Sequence, residues 1–395
     1  MPTPSDRAPA APAAALNAAA AAAIAALVTD FQPTVAVGFD GFVDSIIDVV
    51  ATRRGPTEYS RIPTITELGG RISGAAGQSA NLELVVRQTK IGGNGPIMAN
   101  ALAVQGAQVR AIGLLGEGDA LHPAFQILAD RAERVVSLGP PATTDALEFA
   151  DGKVMLGKLQ PLERLSWQGL VDAAGGLDGL EILFAPTAAI AATNWTMSLQ
   201  MTDIWRHLLA EILPRLPQPA GGRRLFFVDL ADPAKRPVAE LREALTVLSG
   251  LQTQVDVVLG MNGSERDQVC AALGLTPSRE GSEWDASAAD CVAIRDRLGL
   301  AWTMCHLVGS AAVAWSEAAR PGRPAGSAGA NGFFTAKPLI TTGAGDHFNA
   351  GFLHALLAGI DPGLAIQCGG ATSGHYVRTG ESPTRAQVAA FLVGG

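Results

Sequence analysis

The sequence predicts an α/β protein: a three-layer α/β/α sandwich around a mostly parallel central sheet, with a small β lid. Two observations carry this. Short β-branched or apolar runs alternate with segments of helical periodicity along most of the 395 residues, the pattern of right-handed βα units with helices on both sheet faces. Two stretches, residues 51–90 and 140–160, break that alternation and supply the material of a separate small sheet.

Residues 1–30 are rich in Pro and Ala and read as a loose tail followed by a short alanine helix, ahead of a main domain over 31–395. The apolar run Ala18 to Val28 is shorter than the ~20 residues a membrane helix needs. Arg7 is the only basic residue before Arg53, so neither a secretory signal nor a transit peptide is expected. Strands are predicted at 34–39 (TVAVGF), 108–116 (QVRAIGLLG), 181–185 (EILFA), 224–230 (RLFFVDL) and 255–260 (VDVVLG), and helices over 195–213, 233–248 and 285–298. Residues 51–90 show no helical period. DALEFADGKVMLG at 145–157 reads as a hairpin turning at Asp151–Gly152, a pair suited to a type I′ turn. PGRPAGSAGAN at 321–331 reads as a flexible loop between a Val313–Trp315 strand and a strand-like run over Phe333–Leu339. Asp232, followed by Pro233, reads as an N-cap with Pro at the first helical position. Ligands of such sheets gather outside the carboxyl ends of the strands.

Composition excludes several classes of function. Net charge is −8 with Lys and Arg dispersed, which gives no electrostatic footprint for nucleic acid or an anionic membrane. Cys270, Cys291, Cys305 and Cys368 lack C-x-x-C spacing, as expected of reduced thiols in a cytoplasmic protein.

The most informative stretch is TTGAGDHFNAGF, Thr341 to Phe352. Phe348, Gly351, Phe352, Ala355 and Leu356 fall at helical spacing, so Gly343-Ala344-Gly345 is the turn into a helix. Glycines there let backbone N–H groups face outward, and the helix N-terminus adds partial positive charge: an anion site fit for phosphate. Asp346, in the first helical turn, stands where a carboxylate would steer or deprotonate an attacking nucleophile, although capping alone also favours Asp there. His347 and His354 lie two helical turns apart and read as structural.

This stretch resembles the C-terminal signature of the ribokinase-like, or phosphofructokinase B type, carbohydrate kinases. The resemblance extends over nearly the whole chain from about Val35. It implies that Asp346 is the base taking the proton of the substrate hydroxyl, that the amides of Gly343, Ala344 and Gly345 form an anion hole, and that Thr342 borders the nucleotide. Ile340 replaces the Asp that helps bind a monovalent cation in that family, so potassium activation does not carry over to this chain. KIGGNGPIMANALAVQGAQVRAIGLLGEG at 90–118 is similar to the family's N-terminal signature, implying that Gly93 and Asn94 bind the sugar; Ile97, in place of an Asn, looks more like the ADP-dependent sugar kinases. In VGFDGFVDSII, Asp44 matches a family Asp that binds two substrate hydroxyls, and Asp40 is a second candidate. Asn262 and Glu265 of MNGSE match an Asn-x-x-Glu motif in which Glu265 acts on Mg2+ through water and Asn262 lies near the donor phosphates, although the spacing is also that of a capping box. Gly309 and Ser310 fall in register with the family's nucleotide-binding turn.

The expected activity is transfer of the terminal phosphoryl group of ATP to a hydroxyl of a small sugar, polyol or nucleoside, by a monomer or homodimer. The alternatives are ADP as donor, or a non-catalytic sugar or nucleotide sensor.

Overall fold

Strands buried on both faces read as continuous apolar runs, and the central sheet is built from such segments. The computed structural model describes residues 11–27, 31–118 and 120–394; the expected loose tail over 1–10 lies outside them. In chain order the strands of the two larger sheets are β1 (Thr34–Gly38), β2 (Phe42–Arg53), β3 (Tyr59–Arg61), β4 (Leu84–Gly92), β5 (Gln108–Gly113), β6 (Arg134–Ser137), β7 (Ala142–Phe149), β8 (Gly152–Lys158), β9 (Ala189–Ala192), β10 (Leu225–Asp229), β11 (Asp256–Asn262), β12 (Trp302–His306), β13 (Ser310–Trp315) and β14 (Gly326–Asn331). The nine-stranded sheet has the order β14-β13-β12-β11-β10-β9-β1-β5-β6. It is parallel from β6 to β12 and antiparallel at β13 and β14. A second sheet, β8-β7-β2-β3 with β4 also on β2, forms the lid.

Two helix layers sandwich the large sheet. In chain order the α-helices longer than one turn are α1 (Ala11–Ala25), α2 (Ile65–Gly74), α3 (Asn94–Val104), α4 (Trp167–Ala174), α5 (Leu177–Phe184), α6 (Met201–His207), α7 (Val238–Leu251), α8 (Gly263–Leu273), α9 (Glu283–Leu298), α10 (Ala344–Leu357), α11 (Pro362–Thr379) and α12 (Arg385–Gly394). Alternation along β1 divides the core: Val35 and Val37 join Ile24, Met98, Phe352 and Val388 on one face, while Ala36 packs with Leu180, Trp205, Leu245 and Ile294 on the other. Within the first layer, α10 and α11 touch closely because Gly351 carries no side chain. A Cβ there would stand 2.3 Å from Thr372 Oγ1 and 2.9 Å from the Cys368 carbonyl.

Several local expectations are corrected. Residues 181–184 belong to helix α5, with Ala185 its C-cap: Leu180, Leu183 and Phe184 are buried at i, i+3 and i+4, so a short apolar run belongs to an amphipathic helix, and the strand comes later, at Ala189–Ala192. Residues 326–331, expected in a loop, pair with β13 as an edge strand. Indole rings lie against its glycines, leaving space for no side chain: a Cβ on Gly329 would sit 2.5 Å from Trp284 and one on Gly326 2.7 Å from Trp315. The Phe333–Leu339 run forms no strand. Residues 51–90 do contain a helix, α2, capped by the Thr64 hydroxyl accepting from the Glu67 N–H. The 145–157 hairpin is present, but Phe149 pairs with Gly152, so its loop residues are Ala150 and Asp151. All four cysteines are buried and unpaired. No helix among the described residues is long and apolar enough to cross a membrane.

Candidate active site

From β1 the chain winds outward to β5 and β6 on one side and to β9 through β12 on the other. A crevice therefore opens at the carboxyl end of β1, the switch point of an open α/β sheet. Asp40, Asn194, Asp229, Asn262 and His306 all stand at or just beyond the carboxyl ends of neighbouring strands.

Asp40 organises this end of the molecule. Its Oδ2 accepts from the Asn94 N–H (3.0 Å) and the Asn194 side-chain amide (2.7 Å), and its Oδ1 accepts from the Gly95 N–H (2.8 Å). The Asn94 and Gly95 N–H groups are first-turn amides of α3, whose N-cap Gly93 has φ 89°. Burial pushes the Asp40 carboxyl up to about 6, against the pull of its three donors. Asp40, expected as a second sugar ligand, has no exposed surface, and its oxygens hold the Gly93–Asn94 turn and Asn194.

Asn94, so held, donates from Nδ2 to Asp346 Oδ1 at 2.8 Å, joining two motifs 252 positions apart. Asp346 lies in the first turn of α10, behind Gly343 at φ 91°. Burial, and next the charge of Asp229, push its carboxyl well above the usual carboxylate range, while Asn94 pulls it down. In the adjoining turn the Ala344 N–H is bonded to the Thr341 carbonyl (3.2 Å), and the N–H groups of Gly343 and Gly345 have no acceptor among the described residues. Side chains brace the other edge of the turn. The Tyr376 hydroxyl donates to the Thr342 carbonyl (2.9 Å), and His347 Nδ1–H donates to the Gly343 carbonyl (2.7 Å). The imidazole stacks on Tyr376 with centroids 3.6 Å apart and meets Ser382 Oγ through Nε2 (2.8 Å). Burial lowers His347 and His354 to about 4, so both are neutral structural groups.

A cavity of about 590 Å³ lies on the far side of the turn, its walls including Asn262, His306, Ser310, Thr341, Ala344 and Gly345. Asp346 is not among them and faces Asn94 instead, so the turn separates this cavity from the acceptor side. Gly309 also stands behind the wall, its carbonyl accepting from the Gly332 N–H (2.9 Å). Ser310 Oγ donates to Glu283 (2.9 Å). His306 is held neutral by burial, at about 4.

Asn262 and Glu265 form a full capping box on α8. Glu265 accepts from the Asn262 N–H (2.8 Å) and from the Asp232 N–H (2.9 Å). Asp232 itself stands at φ 65° with no side-chain cap, a correction to its expected N-cap bond: the short 3-10 turn it precedes is anchored by its backbone. Burial and then Asp229 raise Glu265 to about 8. Asp229, whose carboxyl is also raised by burial, receives the Asn349 amide (2.7 Å) and the Ala231 N–H (2.9 Å). Among the described residues no set of three His, Cys, Asp or Glu side chains is arranged to ligate a metal directly. Mutually repelling acids whose oxygens already accept backbone amides suit a hydrated Mg2+, which keeps most of its waters, better than a dehydrated ion.

On the lid, Asp44 is flanked across the sheet by Lys90 and Thr144. Burial raises its carboxyl, and Lys90 and Lys153 oppose the shift. Gly92 is required beneath it, because a Cβ would meet the carboxylate at 2.7 Å. The sequence reading passed over Asn194, Asp229, Asn349, His306, Lys90 and Lys153. Only Asp229, at the carboxyl end of an obvious strand, carried a signal that could have found it.

A family model described as prokaryotic ketohexokinase matches residues 13–394. A ketohexokinase of Haloferax volcanii is 29% identical over 364 residues, covering 91% of each chain. Among solved structures, ribokinase of Thermotoga maritima superposes with a TM-score of 0.57 at 15% identity, over 92% of this chain and 99% of its own. A putative ribokinase II of E. coli in complex with ATP and Mg2+ does so with a TM-score of 0.57 at 13% identity, over 92% and 100%. These structures share the ribokinase fold seen here.

Proposed function

The chain belongs to the prokaryotic ketohexokinase family and is a carbohydrate kinase; from that premise we propose that it phosphorylates a ketohexose, using ATP with Mg2+, in the cytoplasm. The observation that carries the site assignment is the Asn94–Asp346 hydrogen bond, which sets a buried carboxylate directly against the sugar-side turn. Asp44 and Asn94 orient the acceptor, the former through two carboxylate oxygens suited to adjacent hydroxyls. Asp346 takes the acceptor proton, and the Gly343 and Gly345 amides stabilise charge on the transferred group. Glu265 would hold Mg2+ through water, and the ion would supply positive charge to offset Asp229, Glu265 and Asp346. The phosphoryl transition state is loose, so proton removal comes late and positioning supplies most of the acceleration. The donor occupies the cavity bordered by Asn262, Ser310 and Thr341, with Gly309 supporting its wall from behind and Thr342 leading into the anion turn. The small sheet closes over the acceptor as a lid and excludes water.

A coupled assay with ketohexoses, aldohexoses, polyols and nucleosides, each with ATP and with ADP, tests this. Highest kcat/KM for a ketohexose with ATP supports it. Preference for a nucleoside, or turnover with ADP alone, refutes the acceptor or the donor assignment respectively.

A further inference from the structure

We propose that Lys153 is a catalytic residue, the lid-borne ammonium that meets the phosphoryl group in transit; this rests on the kinase reading of the same site. Lys153 extends from β8, and its Nζ contacts Thr342 Oγ1 across 189 positions of sequence. Thr342 immediately precedes the Gly343–Gly345 turn, so the contact brings a lid cation to the edge of the anion site. The same ammonium acts electrostatically on Asp44, on the acceptor side. It therefore stands between the group that orients the acceptor and the amides that receive the phosphoryl oxygens.

Charge makes the position meaningful. The floor of the crevice is carboxyl-rich: Asp40, Asp229, Glu265 and Asp346 press on one another. A phosphoryl group carrying charge on three oxygens cannot dwell there without cations. Lys90 stands directly opposite Asp44 on the neighbouring strand, and burial lowers its pKa against the pull of Asp44. Lys158 pairs with Asp145 at 2.7 Å. Lys153 makes no ion pair among the described residues and rests on a neutral hydroxyl, so its charge is available to a ligand.

In the transfer, the acceptor oxygen bonds to phosphorus while the bond to the donor's bridging oxygen breaks, its electron pair leaving with the nucleotide. The acceptor proton passes to Asp346. Lys153 keeps its protons and gives N–H donation and charge to an equatorial oxygen, moving away with the lid when product leaves.

The test compares Lys153→Met and Lys153→Arg with the wild type and Asp346→Asn in one coupled assay, with thermal melting as a check on folding. Lys153→Met should lower kcat by roughly 10²-fold, the scale of one lost oxyanion donor, with KM for sugar and ATP nearly unchanged. Lys153→Arg should recover at least about tenfold of that loss by restoring the charge. Wild-type kcat in Lys153→Met beside an inactive Asp346→Asn overturns the Lys153 assignment alone. A loss confined to acceptor KM also overturns it, making Lys153 a sugar ligand. Full turnover in both Lys153→Met and Asp346→Asn overturns the base assignment as well.

Discussion

Gly92→Ala perturbs the acceptor site without removing any functional group. The new methyl would lie 2.7 Å from Asp44 Cγ and Oδ1 and 2.8 Å from Oδ2, well inside van der Waals contact, and the carboxylate is the movable partner. Strand β4 accepts alanine in its backbone, so the strain is relieved by turning Asp44 away from the crevice. If Asp44 holds sugar hydroxyls, displacing it forfeits a hydrogen bond to a charged group, about 1.5–3 kcal/mol. That corresponds to a drop of roughly 10–150-fold in kcat/KM for the acceptor. The donor cavity lies beyond the Gly343–Gly345 turn, so KM for ATP should hold. Steady-state kinetics with each substrate varied in turn provide the readout. Gly70→Ala is the matched control: it lies in lid helix α2 with no atom within 4 Å of its Cβ position and should leave kinetics alone while adding up to about 1 kcal/mol of helix stability. Wild-type acceptor kinetics in Gly92→Ala, or equal loss for both substrates, would refute the assignment of Asp44.

Three further outcomes are expected. Tyr376→Phe removes the hydroxyl that braces the Thr342 carbonyl; at about 0.5–1.5 kcal/mol for a neutral hydrogen bond, kcat should fall roughly 2- to 12-fold, with the melting temperature lowered by no more than about 4 °C. Gly351→Ala drives a methyl into Thr372 Oγ1 and should destabilise the fold by about 1–3 kcal/mol or more in urea titration, far beyond Gly70→Ala. Folded Glu265 titrates at about 8, above its ordinary 4.5, so between those values the native state binds the extra proton and stability falls as pH rises. Asp40, raised from 3.8 to about 6, acts in the same direction. The melting temperature of the metal-free protein should decline across this window, and Glu265→Gln should flatten its upper part; a flat wild-type profile contradicts the buried-acid description.

The fold was legible where burial imposes a pattern. β1, β10 and β11 are apolar along their length because both faces are covered, and the helix after Gly345 announces itself by spacing. It was illegible where a partner supplies the reason. The glycines of β14 look like linker until Trp284 and Trp315 are seen lying on them, and the small residues of β9 hide a central strand that propensity does not favour. Motif residues came from resemblance and local chemistry, yet their division of labour needed coordinates. Asp40 and Asp44 look equivalent in sequence, but one is enclosed by the first amides of α3 and the Asn194 side chain and the other lies on the lid. Lys153 had no local signal, since its significance is a contact with a residue 189 positions away.

The central claim, that a carboxylate beside the amide turn activates the acceptor hydroxyl, is tested most directly by the single-turnover rate of Asp346→Asn with bound ATP and sugar. Asparagine is nearly isosteric and also suits a helix's first turn, so the variant should fold and bind ATP as the wild type does. The account predicts a phosphoryl-transfer rate lowered by roughly 10²–10⁴-fold, the range of general-base catalysis; transfer at the wild-type rate would contradict it.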